Sequence, residues 1–225
     1  MDFASIAFPL RLSLQVAGIS TVLVALLGVP LAYVLATRDF RGKAAAGVAV
    51  MLPMVLPPIV TGYYLLLLVG RNGLLGRASR ALTGTAVGLT FTWQAAVIAS
   101  FVIALPLGVT TARSAIAAVD PAHADASRTL GRGELETAIY VVLPLAARGI
   151  VAGLALAFAR ALGEFGATIM VAGNIPGQTN TMALEVYNAV IYGDWKTATL
   201  LVVVFTAVSA AVLLGAGRLS AEAVR

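Results

Sequence analysis

Apolar residues in this chain neither alternate nor keep to one helical face; they come in unbroken blocks. Four runs carry no Asp, Glu, Lys or Arg: Leu12–Thr37, Ala44–Gly70, Ala81–Ala112 and Thr197–Gly217. Each reaches the roughly 20 residues a helix needs to cross a hydrocarbon core of about 30 Å. The alternating segments of about ten residues that mark a membrane barrel do not occur. A fifth apolar stretch, Val142–Gly163, is unusual in holding Arg148 and Arg160, with Glu164 at its end. The pattern predicts an all-α integral membrane protein with five spans, near Leu12–Ala36, Ala46–Gly70, Leu89–Ala112, Val142–Gly163 and Thr197–Gly217.

Local chemistry refines the blocks. In the second span, LPMVLPPIV places Pro53, Pro57 and Pro58 where each removes an amide donor and crowds the preceding turn, so the helix must break or kink there. Such a break is tolerated at membrane depth where protein packs around it. RNGLLGRASRALTG reads as a glycine-rich turn followed by an amphipathic surface piece. AGNIPGQTNT is a loop by its Asn, Pro-Gly and Thr content. MALEVYNAVIYGDW reads as a short surface helix.

Composition agrees with a bilayer as solvent. Hydrophobic residues make up 60% and charged residues 11% of the 225, with a mean hydropathy of +0.96; a soluble domain carries about 25% charged residues. The N-terminus, MDFASIAFPLRLSLQ, has neither a basic leader nor a small-residue cleavage site, so the first span is expected to stay and to target the chain to the membrane. The chain has no cysteine, which removes disulfides, thiol chemistry and Cys-ligated metals. The net charge of +5 comes from Lys and Arg at span ends, as interfacial anchors rather than a nucleic-acid surface. If the N-terminus lies outside, the inner segments hold Arg38, Arg41, Lys43, Arg113, Arg128, Arg132, Arg218 and Arg225. The outer ones then hold Arg11, Arg71, Arg77, Arg80 and Lys196, so the excess of basic residues falls inside. No inverted repeat relates the two halves, and five spans are few to enclose a pathway; a second copy of the chain is expected.

The most polar segment, VDPAHADASRTLGRGELETAIYVVLPL, interrupts this apolar chain. Asp120 and Pro121 are a helix start, an acidic cap followed by a proline at the position where its missing N–H costs nothing. Gly131 suits the left-handed end of that helix, and Arg128 the negative end of its dipole. Glu134 and Glu136 then open a second helix that becomes the fourth span. A stiff helix carrying small residues (Ala122, Ala124, Ala126) can slot into a groove of another protein, or can simply lie at the interface. His123, the only histidine, sits on it and suits a solvent or partner contact rather than a metal.

Asp125-Ala126-Ser127, then Leu130 and Gly131, then Leu143-Pro144 resembles the Glu-Ala-Ala loop of ABC-importer permeases. Asp stands for Glu, Ser for the second Ala, and Val141 for Ile. LPMVLPPIVTGYYLLLLVGRNGLLG, AFARALGEFGATIM and GNIPGQTNT are similar to molybdate-transporter permeases, while the sulfate/thiosulfate permeases share the loop and the Leu-Gly-Glu-Phe-Gly stretch. The resemblance implies the type I importer fold over residues 10–217, a coupling loop at 120–138 docking on a cytoplasmic ATPase, and a cytoplasmic tail at 218–225. It implies a homodimer in the prokaryotic cytoplasmic membrane, N-terminus outside and C-terminus inside, with two ATP-binding subunits that hold ATP and Mg and an extracytoplasmic molybdate-binding protein. The cargo would be molybdate and tungstate, or sulfate and thiosulfate. No GxxxxGK[ST] loop is present, so hydrolysis is expected from a partner and the chain itself is not expected to be an enzyme.

Arg160 and Glu164, four apart on one face, either line or gate the pathway or form a structural ion pair; the latter is favoured. Asn174 and Pro176 could contribute to an outer gate. Arg148 is expected to snorkel to the interface. Two other classes remain open: an intramembrane enzyme, for which no nucleophile–base pair or metal set is present, and a channel or proton-driven carrier relaying through Glu164 and Arg160.

Overall fold

A computed structural model describes residues 3–222, all of whose regular elements are helical. Helix α1 (Phe3–Leu23) continues through a π-turn at Val24–Gly28 into α2 (Val29–Thr37). After a short turn come α3 (Lys43–Val55), α4 (Pro58–Val69) and α5 (Leu74–Thr83). The central α6 (Trp93–Ala117) is followed by α7 (Pro121–Thr129) and α8 (Glu134–Thr137). A second π-turn at Ala138–Val142 leads into α9 (Leu143–Leu145) and α10 (Ala147–Leu162). The chain ends with α11 (Gly166–Ala172), α12 (Met182–Ile191) and α13 (Trp195–Glu222).

Among the described residues, four stretches are long and apolar enough to cross a bilayer: Ile6–Thr37, Pro58–Thr83, Trp93–Ala117 and Trp195–Gly215. The pair Glu134–Leu145 and Ala147–Leu162 makes a fifth, bent by 76°. The first span is longer than its apolar core, taking in Ile6–Arg11 below it. The second departs from the expected 46–70. Leu56 and Pro57 are both extended (ψ 143° and 135°), which splits that stretch, with Pro58 opening the new helix. Pro53 stays inside α3. The qualifying stretch begins after the break and runs on through Gly70–Gly73 into α5. The proline chemistry predicted a break; which proline made it depended on packing against α6 and α11.

Both π-turns solve the same problem. The N–H of Val29 reaches back to the carbonyl of Val24, and that of Leu143 to Ala138. In each case the next residue is a proline, Pro30 or Pro144, which brings no amide of its own. One wider turn ahead of it re-pairs the carbonyls that a plain α-helix would leave open.

The core forms around α6. Leu12, Val16, Leu65, Ala96, Ile103 and Val171 bury one end of the bundle, and Ala32, Leu35, Val109, Ile116 and Val142 the other. Helices α6 and α10 approach through glycines: a Cβ on Gly149 would collide with Ala115, and one on Gly153 would lie 3.0 Å from Thr111. Small residues four apart let backbones close up where lipid offers no hydrophobic drive of its own. Helix α12 lies at the surface with one face buried: Met182 and Ala189 pack with Ala198 and Leu201 of α13, while Tyr187, Val190 and Ile191 are exposed. The expected tail is still helical to Glu222; Arg225 lies outside the described residues.

Candidate functional site: a clamped loop at one end of the bundle

Helix α7 forms because its ends are closed locally. Asp120 Oδ1 accepts the N–H of Ala122 at 2.9 Å, with Pro121 in the first turn. At the other end Gly131 has φ +85°, its N–H donates to Arg128 O, and the N–H of Arg132 donates to Ser127 O. That pair of reversed bonds is the glycine-based helix end, which re-pairs the carbonyls of Ser127 and Arg128. Helix α8 starts two residues later, where Glu136 Oε2 accepts the N–H of Gly133 at 3.2 Å.

Three side-chain contacts lock the two helices into one body. Ser127 and Thr137 are both buried, with their hydroxyls 3.0 Å apart. Arg128 Nη1 donates to Asp125 Oδ1 at 2.7 Å, while its Nε and Nη2 each lie 3.3 Å from the two oxygens of Glu134. Glu134 also receives the phenol of Tyr33 at 3.0 Å and the guanidinium of Arg38 at 3.2 Å. This carboxylate therefore ties the loop to the end of the first span, about a hundred residues away in sequence. The Glu134 carboxylate, and then Asp125, holds the Arg128 guanidinium above its ordinary pKa.

The face turned to solvent is different in kind. Ala122, Ala126, Leu130 and Leu135 are exposed, the two leucines at 84% and 73%. Arg132 lies 5.5 Å from the ring centre of Tyr140 beside them. Of the residues expected at the coupling loop, Asp125, Ala126, Leu130 and Gly131 lie on or beside this face. Ser127 faces inward to Thr137. Leu143 packs in the cluster with Val142 and Ala146, and Pro144 is exposed at the π-turn. His123 is exposed, its Nδ1 3.3 Å from Asp120 O.

The other candidates lie at the far end, and the structure does not bring them together. Arg160 Nη2 pairs with Glu164 Oε2 at 2.8 Å, and the carboxylate is 1% exposed. The second oxygen of Glu164 accepts the N–H of Ala167 at 2.8 Å, which caps α11. The pair ties the end of α10 to the first turn of α11. Helix α11, which sequence reasoning did not separate from the fourth span, lies close on α4, where Ala167 and Met170 crowd Gly62. Asn174 and Pro176 border a cavity of about 600 Å³, together with Glu185, Asn188 and Asp194. There Asn174 Nδ2 donates to Asn188 Oδ1 at 2.6 Å, and Asn180 Nδ2 to Glu185 Oε2 at 2.7 Å. Among the described residues, no group of three or more His, Cys, Asp or Glu is placed to hold a metal ion.

Residues 28–225 match the family described as the inner membrane component of binding-protein-dependent transport systems. The chain belongs to this family. Within it, the chain is 38% identical to the molybdenum transport system permease YvgM of Bacillus subtilis over 200 residues, 87% of each chain. It is 40% identical to the molybdenum transport permease ModB of Escherichia coli over 179 residues, covering 80% of this chain and 77% of that one. The fold matches the methionine ABC transporter MetNI with a TM-score of 0.73 at 18% identity over all of both chains. It matches a bacterial alginate ABC importer at 0.79 and 14% identity, over 96% of this chain and 79% of that one. This is the type I importer permease fold, and the chain is a multi-pass membrane permease subunit.

The clamp residues Tyr33, Arg38 and Glu134 were not singled out from the sequence as site residues. Glu134 was legible only as a helix opener; its partners on the first span are a product of the tertiary fold.

Proposed function

We propose that this chain is the permease subunit of an ATP-driven importer that carries molybdate, and tungstate, across the cytoplasmic membrane by alternating access. The observation that carries the cargo is the identity of about 40%, sustained over four-fifths of the chain, with permeases of molybdenum transport systems. Two copies of the chain would form the pathway. Two ATP-binding subunits, holding ATP and Mg, would grip the exposed faces of α7, and a binding protein would deliver cargo at the opposite end. The chain then sits with its N-terminus outside and its C-terminus inside, the coupling loop 120–138 facing the cytoplasm.

The geometry supports a mechanical role for the loop. A docking element transmits force only if it does not deform first. Here both ends of α7 are capped, Ser127 and Thr137 fasten it to α8, and Glu134 fastens both to the first span. Closure of the ATPase dimer would draw the two loops together and move the first and fourth spans as one. Exposed Ala126, Leu130 and Leu135 provide a small apolar patch for the partner's groove.

The cargo test is ATP-dependent uptake of labelled molybdate into proteoliposomes holding the permease, its ATPase and its binding protein. Block by tungstate with indifference to sulfate supports this reading. Block by sulfate would assign the machine to the sulfate and thiosulfate importers instead. Uptake that follows an ion gradient and ignores ATP would place the chain among secondary carriers.

A further inference from the structure

Between the start of α1, the first turn of α6 and the loop after α11 lies a cavity of about 430 Å³. Its polar lining is Arg11, Gln15, Thr92, Gln94, Gln178 and Thr179, with Trp93 beside them and no Asp or Glu. The cavity next to it, around Asn174, is built oppositely: its amides are paired with one another or with Glu185, and Glu185 and Asp194 make it acidic. Among the described residues, neither Arg11 nor any of the three glutamines has a side-chain hydrogen-bond or ion-pair partner. Arg11 and Gln15 lie four apart, one turn, on the spanning stretch Ile6–Thr37. Arg11, Gln15, Gln94 and Gln178 are all exposed, so the cavity is open to its surroundings at this end of the bundle rather than sealed in the core. Trp93 and Gln94 open α6, where the first amides have no intrahelical acceptor and the helix dipole favours an anion. Five guanidinium N–H donors and three carboxamides therefore border one space whose lining holds no competing carboxylate.

We propose that this cavity is a transient oxyanion site, a waypoint for a tetrahedral dianion of the molybdate and tungstate class at the end of the bundle opposite the coupling loop. It rests on the cargo reading above. One fixed cation among neutral amides attracts a dianion and lets it go, the balance that conduction requires. Arg11 supplies the charge and the planar fork that suits an oxyanion, and the glutamines replace lost water.

The test uses the assembled permease–ATPase complex without the binding protein. Sodium tungstate bound at equilibrium dialysis is counted for wild type, Arg11→Gln, Arg11→Lys and the pair Gln94→Ala with Gln178→Ala. Uptake is measured in parallel with the binding protein present. Loss of one charge-assisted contact predicts an affinity about tenfold weaker in Arg11→Gln, an intermediate value in Arg11→Lys and a several-fold loss in the glutamine pair. Uptake should slow in the same order while unstimulated ATP hydrolysis is unchanged. Tungstate binding and uptake at wild-type levels in Arg11→Gln would overturn the site. Should that variant not assemble, wild-type behaviour of the glutamine pair would overturn it equally. Wild-type complex that takes up no oxyanion would instead overturn the cargo reading, which separates the two failures.

Discussion

The loop at 120–138 and the cavity around Arg11 handle polar groups in opposite ways. At the loop end, Glu134 accepts three hydrogen bonds, one from Tyr33 and two from Arg128, and pairs with Arg38; Arg128 has two carboxylate partners, and the buried hydroxyls of Ser127 and Thr137 satisfy each other. At the far end, Arg11 and three glutamines surround a cavity with no partner among the described residues, and the one tight ion pair, Arg160–Glu164, is spent on holding α11. Saturated polar contacts make a stiff body, which suits a part that must pass on a displacement. Unsaturated donors around open space suit a part that must meet cargo and water.

Variants can break that contrast, and the largest effect is expected at the far end. Glu164→Ala would leave Arg160, which is 36% exposed, and the Ala167 amide without their shared carboxylate, at a cost of about 2 kcal/mol. A lowered Tm of the detergent-solubilised chain would show it; an unchanged Tm would mean the pair holds nothing. Next comes Gly149→Ala, whose Cβ has no room against Ala115. Overpacking of this kind costs about 1–3 kcal/mol, and thermal unfolding again reads it.

The loop end should respond in function more than in stability. Glu134→Gln weakens the tie to Tyr33, Arg38 and Arg128 in a largely solvated site, so the fold should survive. ATP consumed per molybdate imported should rise several-fold, and an unchanged ratio would remove the clamp from the coupling route. The smallest effect concerns the inward-facing pair. Ser127→Ala alone orphans the Thr137 hydroxyl and costs about 1 kcal/mol, whereas Ser127→Ala with Thr137→Val should be close to neutral. A double-mutant cycle on Tm measures the difference.

What could be read from the sequence follows the range of the interaction that fixes each feature. The ends of α7 were legible because Asp120, Pro121 and Gly131 act on amides within a few residues. The all-helical membrane fold was legible because a bilayer imposes its thickness on every span. The break near Pro57 was legible as an event but not as a position, since Pro53 beside it is accommodated within α3. The 76° bend of the fourth span, the separate helix α11 and the buried face of α12 were not legible. The packing of α10 and α11 depends on Gly62, Gly149 and Gly153 meeting partners far along the chain, and the buried face of α12 depends on α1 and α13; composition does not record who those partners are. The same holds for Glu134, whose importance lies in Tyr33 and Arg38.

The central claim is that the loop at 120–138 passes the work of ATP to the spans. Gly131 tests it most directly because a Cβ there meets no atom within 4 Å in this chain. Its left-handed backbone makes a substitution cost only about 1 kcal/mol, so a side chain there leaves the fold and disturbs only the bend and the docking surface. The decisive measurement is ATP hydrolysis and molybdate uptake in the same proteoliposomes, for wild type and Gly131→Asp with partners shown to be assembled. Hydrolysis retained with uptake reduced at least tenfold is the predicted result. Uptake at the wild-type rate would show that the loop is not where the motor takes hold.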